Sequence, residues 1–129
     1  MKYAARHHLL ALLLGAAACA DPTSVRNVEG VLFWAEPAHV AIENRRDEPI
    51  VYIAMDASYA ASANWVPCAA PDCPSIPPGR VKRIAKQEIL GAGESDHVIA
   101  FWWHVVQVSA NEFRPDSIRA IRIRYQPHL

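Results

Sequence analysis

The sequence predicts an all-β protein, a small antiparallel β-sandwich of six to seven strands preceded by a short helical leader. Three observations carry this reading. Beyond residue 29 the apolar residues recur with period two rather than 3.6, the signature of half-buried strands. Polar clusters rich in Pro, Gly, Asn and Asp interrupt those runs at the spacing of antiparallel turns. The remaining length, about 100 residues, suits one domain of two packed sheets and no more.

Taken in order, Val31–Trp34 is a short strand ended by Pro37. His39–Asn44 (HVAIEN) alternates, with Val40 and Ile42 on one side and Ala41 and Glu43 on the other. Arg45–Pro49 is polar and reads as a turn. Ile50–Met55 (IVYIAM) is apolar on both faces, as a central strand is. Ser58–Val66 is read as a further strand leading into WVPCAAPDCPSIPPG, a proline-stiffened loop. Val81, Arg83 and Ala85 alternate against Lys82, Ile84 and Lys86. After the GAGESD loop, His97–Val108 (HVIAFWWHVVQV) is the strongest strand signal in the chain. Asn111–Asp116 reads as a connection, and Ile118–Tyr125 closes the set. Ile121, Ile123 and Tyr125 share a face there, with Ile118 out of phase, so a bulge near Ala120 is expected. The architecture implied is immunoglobulin-like in the broad sense only, because the intersheet cysteine pair of antibody domains is absent.

The first twenty residues are a different matter. Lys2, Arg6, His7 and His8 precede an apolar run, Leu9–Ala18, of ten residues. That is half of the roughly 20 needed to span a bilayer and matches the core of a signal peptide. The tetrapeptide Ala16-Ala17-Ala18-Cys19 resembles the lipobox of bacterial membrane lipoproteins, although that family usually has Leu where Ala16 stands. The resemblance implies a diacylglycerol on the Cys19 thiol, cleavage before it, and acylation of the new amine, with palmitate among the usual acyl groups. Ala20 follows the cysteine where an aspartate would favour retention in the inner membrane, so the resemblance implies the outer membrane of a Gram-negative host. Two or three acyl chains would hold the chain at the bilayer almost irreversibly, where one binds marginally. The division expected is 1–18 signal peptide, 19–29 lipidated tether and 30–129 sandwich domain. The alternative is ordinary secretion, with cleavage after Ala18 or Ala20 and release to the periplasm or medium.

Setting Cys19 aside leaves Cys68 and Cys73, an even pair in an exported protein, where disulfides persist. A disulfide between them would close a six-residue loop and stabilise by roughly 2 kcal/mol in the chain-entropy model. The alternatives are half of a zinc site, which lacks a tight second pair of ligands, and a redox-active pair, which favours two intervening residues at a helix start. No metal or cofactor is expected.

Charge argues against nucleic acid. The chain has 13 basic and 13 acidic residues, and loss of Lys2 and Arg6 with the leader leaves 11 and 13, a formal charge of −2. The sequence carries no phosphate-binding glycine loop, no Gly-x-Ser-x-Gly elbow and no His-Glu-x-x-His. No catalytic residue is assigned, although Ser58 or Ser109 meeting His104 and an aspartate is an arrangement that distance in sequence does not exclude. A binding patch is expected from Trp65, Trp102 and His104 if a face of the long strand lies open. The competing expectation packs Trp102 under the Pro-rich loop, lets Trp65 cap the disulfide, and gives His104 a local hydrogen bond. Arg122 and Arg124 share one strand face and form either an anion-binding stripe or a solvated face paired with acids. The expectation is a lipid-anchored envelope protein that binds or supports an envelope protein or glycan. Its rival is a secreted enzyme or enzyme inhibitor.

Overall fold

The computed structural model describes residues 25–125. The leader 1–18, Cys19 and the first residues of the expected tether lie outside the described residues.

Among the described residues the fold has ten strands, one short α-helix and a single 3-10 turn at Lys86–Glu88: β1 Arg26–Val28, β2 Val31–Ala35, β3 His39–Asn44, β4 Ile50–Asp56, α1 Ala57–Ser62, β5 Ser75–Ile76, β6 Val81–Ala85, β7 His97–Trp103, β8 Val105–Ser109, β9 Glu112–Pro115 and β10 Arg119–Arg124. One antiparallel sheet has the order β1-β2-β3-β6, the other β10-β7-β4-β5, and β8-β9 forms a separate ribbon. The two four-stranded sheets pack face to face as a sandwich. Val31, Phe33, Val40, Ile42 and Ile84 come from the first sheet to meet Ile50, Ala54, Ala100, Trp102, Ile121 and Ile123 of the second. Period-two alternation put those residues on one side of each strand, and their burial is the main force holding the layers together.

Several elements differ from expectation. The chain enters the sheet before Gly30: Arg26–Val28 pairs with β2 through a two-residue turn, so these residues are strand and not tether. Glu29 (φ 52°) and Gly30 (φ 90°) both take positive φ, as the right-handed twist of a two-residue hairpin demands, and Asn27 Oδ1 accepts a hydrogen bond from Gly30 N. Ser58–Val66 is no strand. Asp56 accepts from Ser58 N and caps α1, and the alanine-rich ASYAAS lacks the β-branched residues that would favour extension. The long strand His97–Val108 divides at His104, whose amide donates to Asp116 Oδ1. Its second half pairs with Glu112–Pro115, which is a strand and not a connection. No bulge interrupts β10, whose pairing with β7 runs unbroken from Arg119 to Arg124. Ile118 is out of phase because it precedes the strand, and it is exposed. Ile121, Ile123 and Tyr125 do share the buried face.

Sheet two is covered on its outer face as well. Trp103, Val51 and Cys73 are buried there, with Ile53, Trp65, Ala70, Phe101 and Val105 packed around them. The cover is the segment from α1 to the cysteine loop, which explains why β4 is apolar on both faces.

Candidate binding groove

Asn44 ends β3 and sets the turn after it. Its side chain is fully buried; Nδ2 donates to Glu48 O (2.8 Å) and Ile76 O (2.9 Å), and Oδ1 accepts from Arg46 N (2.9 Å). One amide thereby fixes the Arg45–Pro49 turn and ties it to β5 of the opposite sheet. The turn presents Arg46 and Pro49 to His104. Pro49 O accepts from His104 Nδ1 (2.8 Å), and Arg46 Nε donates to His104 Nε2 (3.0 Å). A guanidinium only donates, so Nε2 is the ring's acceptor and the proton sits on Nδ1. His104 is buried with both nitrogens committed.

Trp102 lies beneath this cluster and is completely buried. The Arg119 and Arg46 guanidinium carbons stand 4.7 Å and 5.4 Å from its ring, and the His104 ring meets it edge-on at 5.8 Å. Burial works against the Arg119 cation, but the hydrogen bonds and charges of Glu29 and Asp116 outweigh it and raise its pKa above the ordinary arginine value.

Of the five residues expected to form a patch, only Trp102 and His104 come together, and both are buried. Trp102 is core, and it is Trp103 that lies under the cysteine loop, with Nε1 donating to Cys68 O at 2.9 Å. Trp65 is half-buried over the outer face of sheet two, 5.0 Å from Phe101 and 5.8 Å from Trp103 between ring centres. His104 is locked in the hydrogen bonds above. Arg122 and Arg124 stand exposed on the outer face of β10, with Arg124 Nε 3.5 Å from Asp96 Oδ2. No surface joins these side chains. Ser58 lies at the start of α1 and Ser109 at the end of β8, and neither bonds to His104.

Cys68 and Cys73 are joined by a disulfide across Cα atoms 6.0 Å apart, so neither sulfur is available to a metal. Cys73 is buried against Val51 and Trp103, and its Sγ accepts from Ala70 N. The bridge thus holds the loop down on sheet two.

What the fold does build is a groove between that pinned loop and the β8–β9 ribbon, with a volume of about 560 Å³. Ala70, Pro71 and Cys73 form one wall, Val105, Val106, Gln107 and Phe113 the other. Val51, Ser75 and His104 lie between them, with Glu48, Pro49 and Asp116 completing the lining. Two carboxylates line it and no lysine or arginine does. Sequence reasoning found the disulfide loop and His104 but not the site, because its lining comes from three separated segments, the β3–β4 turn, the cysteine loop and the β8–β9 ribbon. Ser75 and His104 share the groove, but no lone pair of the imidazole is left to take a proton from a hydroxyl.

No known family, curated protein or solved structure matches the chain.

Proposed function

We propose that the chain is a lipid-anchored protein of the cell envelope whose sandwich is a binding module working through the groove between the disulfide loop and the β8–β9 ribbon. The observation that carries the binding role is the groove itself. Its two arms add little to the main core, yet one is fastened by a disulfide and the other is an ordered ribbon beside a buried, fully hydrogen-bonded His104. Pre-formed walls of this kind reduce the ordering cost of holding a ligand. The commitment of both His104 nitrogens favours binding over an exported enzyme or enzyme inhibitor with its chemistry in the same groove.

The lipobox-like Ala16–Cys19 supports the anchor, and the disulfide agrees with export to an oxidising compartment. Six residues separate Cys19 from Arg26, so an anchor there would keep the sandwich within about 25 Å of the bilayer even with the chain extended. Partners would accordingly be envelope proteins or glycans.

The test is the intact mass of the protein recovered from the membrane fraction, with and without reduction. A chain beginning at Cys19 with added acyl mass, gaining two hydrogens on reduction, is expected. An unmodified chain in the soluble fraction would remove the anchor.

A further inference from the structure

One edge of β8 borders the groove with no strand beside it among the described residues. β7 pairs with β4 as far as Trp103 opposite Val51, and β4 begins one residue away at Ile50. The chain continues past His104 as β8, but β4 has no residues to set beside it. Among the described residues β8 pairs only with β9.

The direction of the main-chain groups follows from one bond. Asp116 N donates to His104 O, so His104 turns its carbonyl toward the β9 side. Strand residues alternate, and Val105 and Gln107 therefore turn both N–H and C=O to the opposite edge, where β4 would have run. No hydrogen bond among the described residues engages those groups. The preceding residue on the β4 side, Pro49, has no N–H to offer. Val105 and Gln107 both line the groove.

Charge narrows the occupant. Glu48 extends into solvent, its side chain 68% exposed, whereas Asp116, the other carboxylate of the lining, is already paired with Arg119, so Glu48 is the charge the groove offers to a ligand. Val51 and Phe113 supply apolar contact between the two carboxylates and the disulfide wall.

We propose that the groove accepts an extended polypeptide segment of a partner, added as a strand along the free edge of β8, with a lysine or arginine side chain meeting Glu48. The proposal rests on the binding role assigned to the groove and adds the class of ligand. Main-chain hydrogen bonds to Val105 and Gln107 supply affinity, and alternate side chains supply specificity, one set toward Val51 and Phe113 and the other toward solvent and Glu48.

The test uses random octapeptides displayed on phage and selected against the full chain in detergent micelles. Enriched peptides are then synthesised and titrated by fluorescence anisotropy. The expected peptides alternate apolar residues with at least one lysine or arginine. Their binding slows exchange of the Val105 and Gln107 amides at least tenfold and weakens as salt is raised. Glu48→Lys weakens binding tenfold or more. Gln107→Pro does the same by removing an outward N–H at an edge position that tolerates proline. Should Gln107→Pro fail to fold, protection of the Val105 and Gln107 amides in the unaltered chain carries the test of strand addition, and Glu48→Lys at an exposed side chain carries that of the cationic contact. Absence of enriched peptides, or protection at another surface, overturns strand addition. Neutral or acidic peptides that protect the same two amides overturn the cationic ligand while leaving the groove as a binding site. The intact-mass test of the anchor is independent of all of these.

Discussion

Replacing Asn44 tests whether one buried amide holds the groove's floor. In Asn44→Ala the two donors to Glu48 O and Ile76 O vanish together with the acceptor for Arg46 N. Each hydrogen bond is worth about 1 kcal/mol net, and groups left unpaired at a fully buried site cost more, so the expected loss is roughly 3–4 kcal/mol. A domain of this size has only about 5–15 kcal/mol to lose, and the midpoint of thermal unfolding should fall by roughly 15–20 °C. Urea unfolding at neutral pH, followed by tryptophan fluorescence, measures the loss directly.

Asn44→Asp separates hydrogen bonding from packing, because its volume is unchanged. Oxygen would replace nitrogen opposite two carbonyl oxygens, so the ionised variant should be at least as unstable as the alanine one. It should recover part of the difference as acidification restores a donor. A loss below 1 kcal/mol in both variants would refute the reasoning. It would mean that the Arg45–Pro49 turn is held by its own backbone, and the placement of Arg46, Glu48 and Pro49 would need another cause.

Three further outcomes are expected. Cys68→Ser with Cys73→Ser should cost roughly 2 kcal/mol in urea unfolding and shift the emission of Trp65 and Trp103 to the red as the loop lifts. Gly91→Ala should be worse than Gly79→Ala, because both glycines have φ above 70° but a Cβ on Gly91 would collide with Tyr59 while one on Gly79 meets nothing. Thermal midpoints should separate the roughly 1 kcal/mol of backbone strain from the added clash. Tyr125→Phe should leave stability unchanged or raise it by about 1 kcal/mol, since the buried hydroxyl finds no hydrogen-bond partner among the described residues. It should also flatten the alkaline limb. Burial raises the Tyr125 pKa, and burial followed by the charge of Glu88 raises that of Tyr52. Both contributions are whole below the ordinary tyrosine value of about 10 and are lost as pH climbs through the raised values. Urea midpoints between pH 8 and pH 11.5 would show the slope, and an equal slope in the variant would refute it.

The sandwich was legible because its strands are written in period two. Phe33, Ile42, Ile84, Ile121 and Ile123 declare their faces within a few residues, and the declaration does not depend on what lies across the core. The misreadings fall where a side-chain hydrogen bond or the register, and not the alternation, decides. His104 ends β7 through the carboxylate of Asp116, twelve residues on. Ser58–Val66 alternates weakly enough that the Asp56 cap prevails and a helix forms. Trp102 and Trp103 are equivalent in sequence. Register alone sends the first between the sheets and the second under the loop. The groove was the least legible part. Glu48 and Asp116 are ordinary surface types in a sequence, His104 reads there as part of an aromatic patch, and the three become neighbours only through the turn fixed by Asn44 and the bonds between His104 and Asp116.

The groove also lies apart from the residues that close the main core. The main core closes through residues that the groove does not use, from Phe33 and Ile42 to Trp102 and Ile121. The ribbon, by contrast, leaves Val106 and Val108 exposed, and its residues Val105 and Gln107 bear on the groove rather than on the other sheet. Substitutions at the ribbon's outward positions therefore cost little folding free energy, because they uncover no buried apolar surface. The disulfide gives the opposite wall rigidity that a six-residue excursion with one buried cysteine would lack. His104 joins the two regimes. Its ring is fastened to the β3–β4 turn, its backbone to Asp116, and so the point where the ribbon leaves the sandwich is fixed while the ribbon's sequence stays open to change.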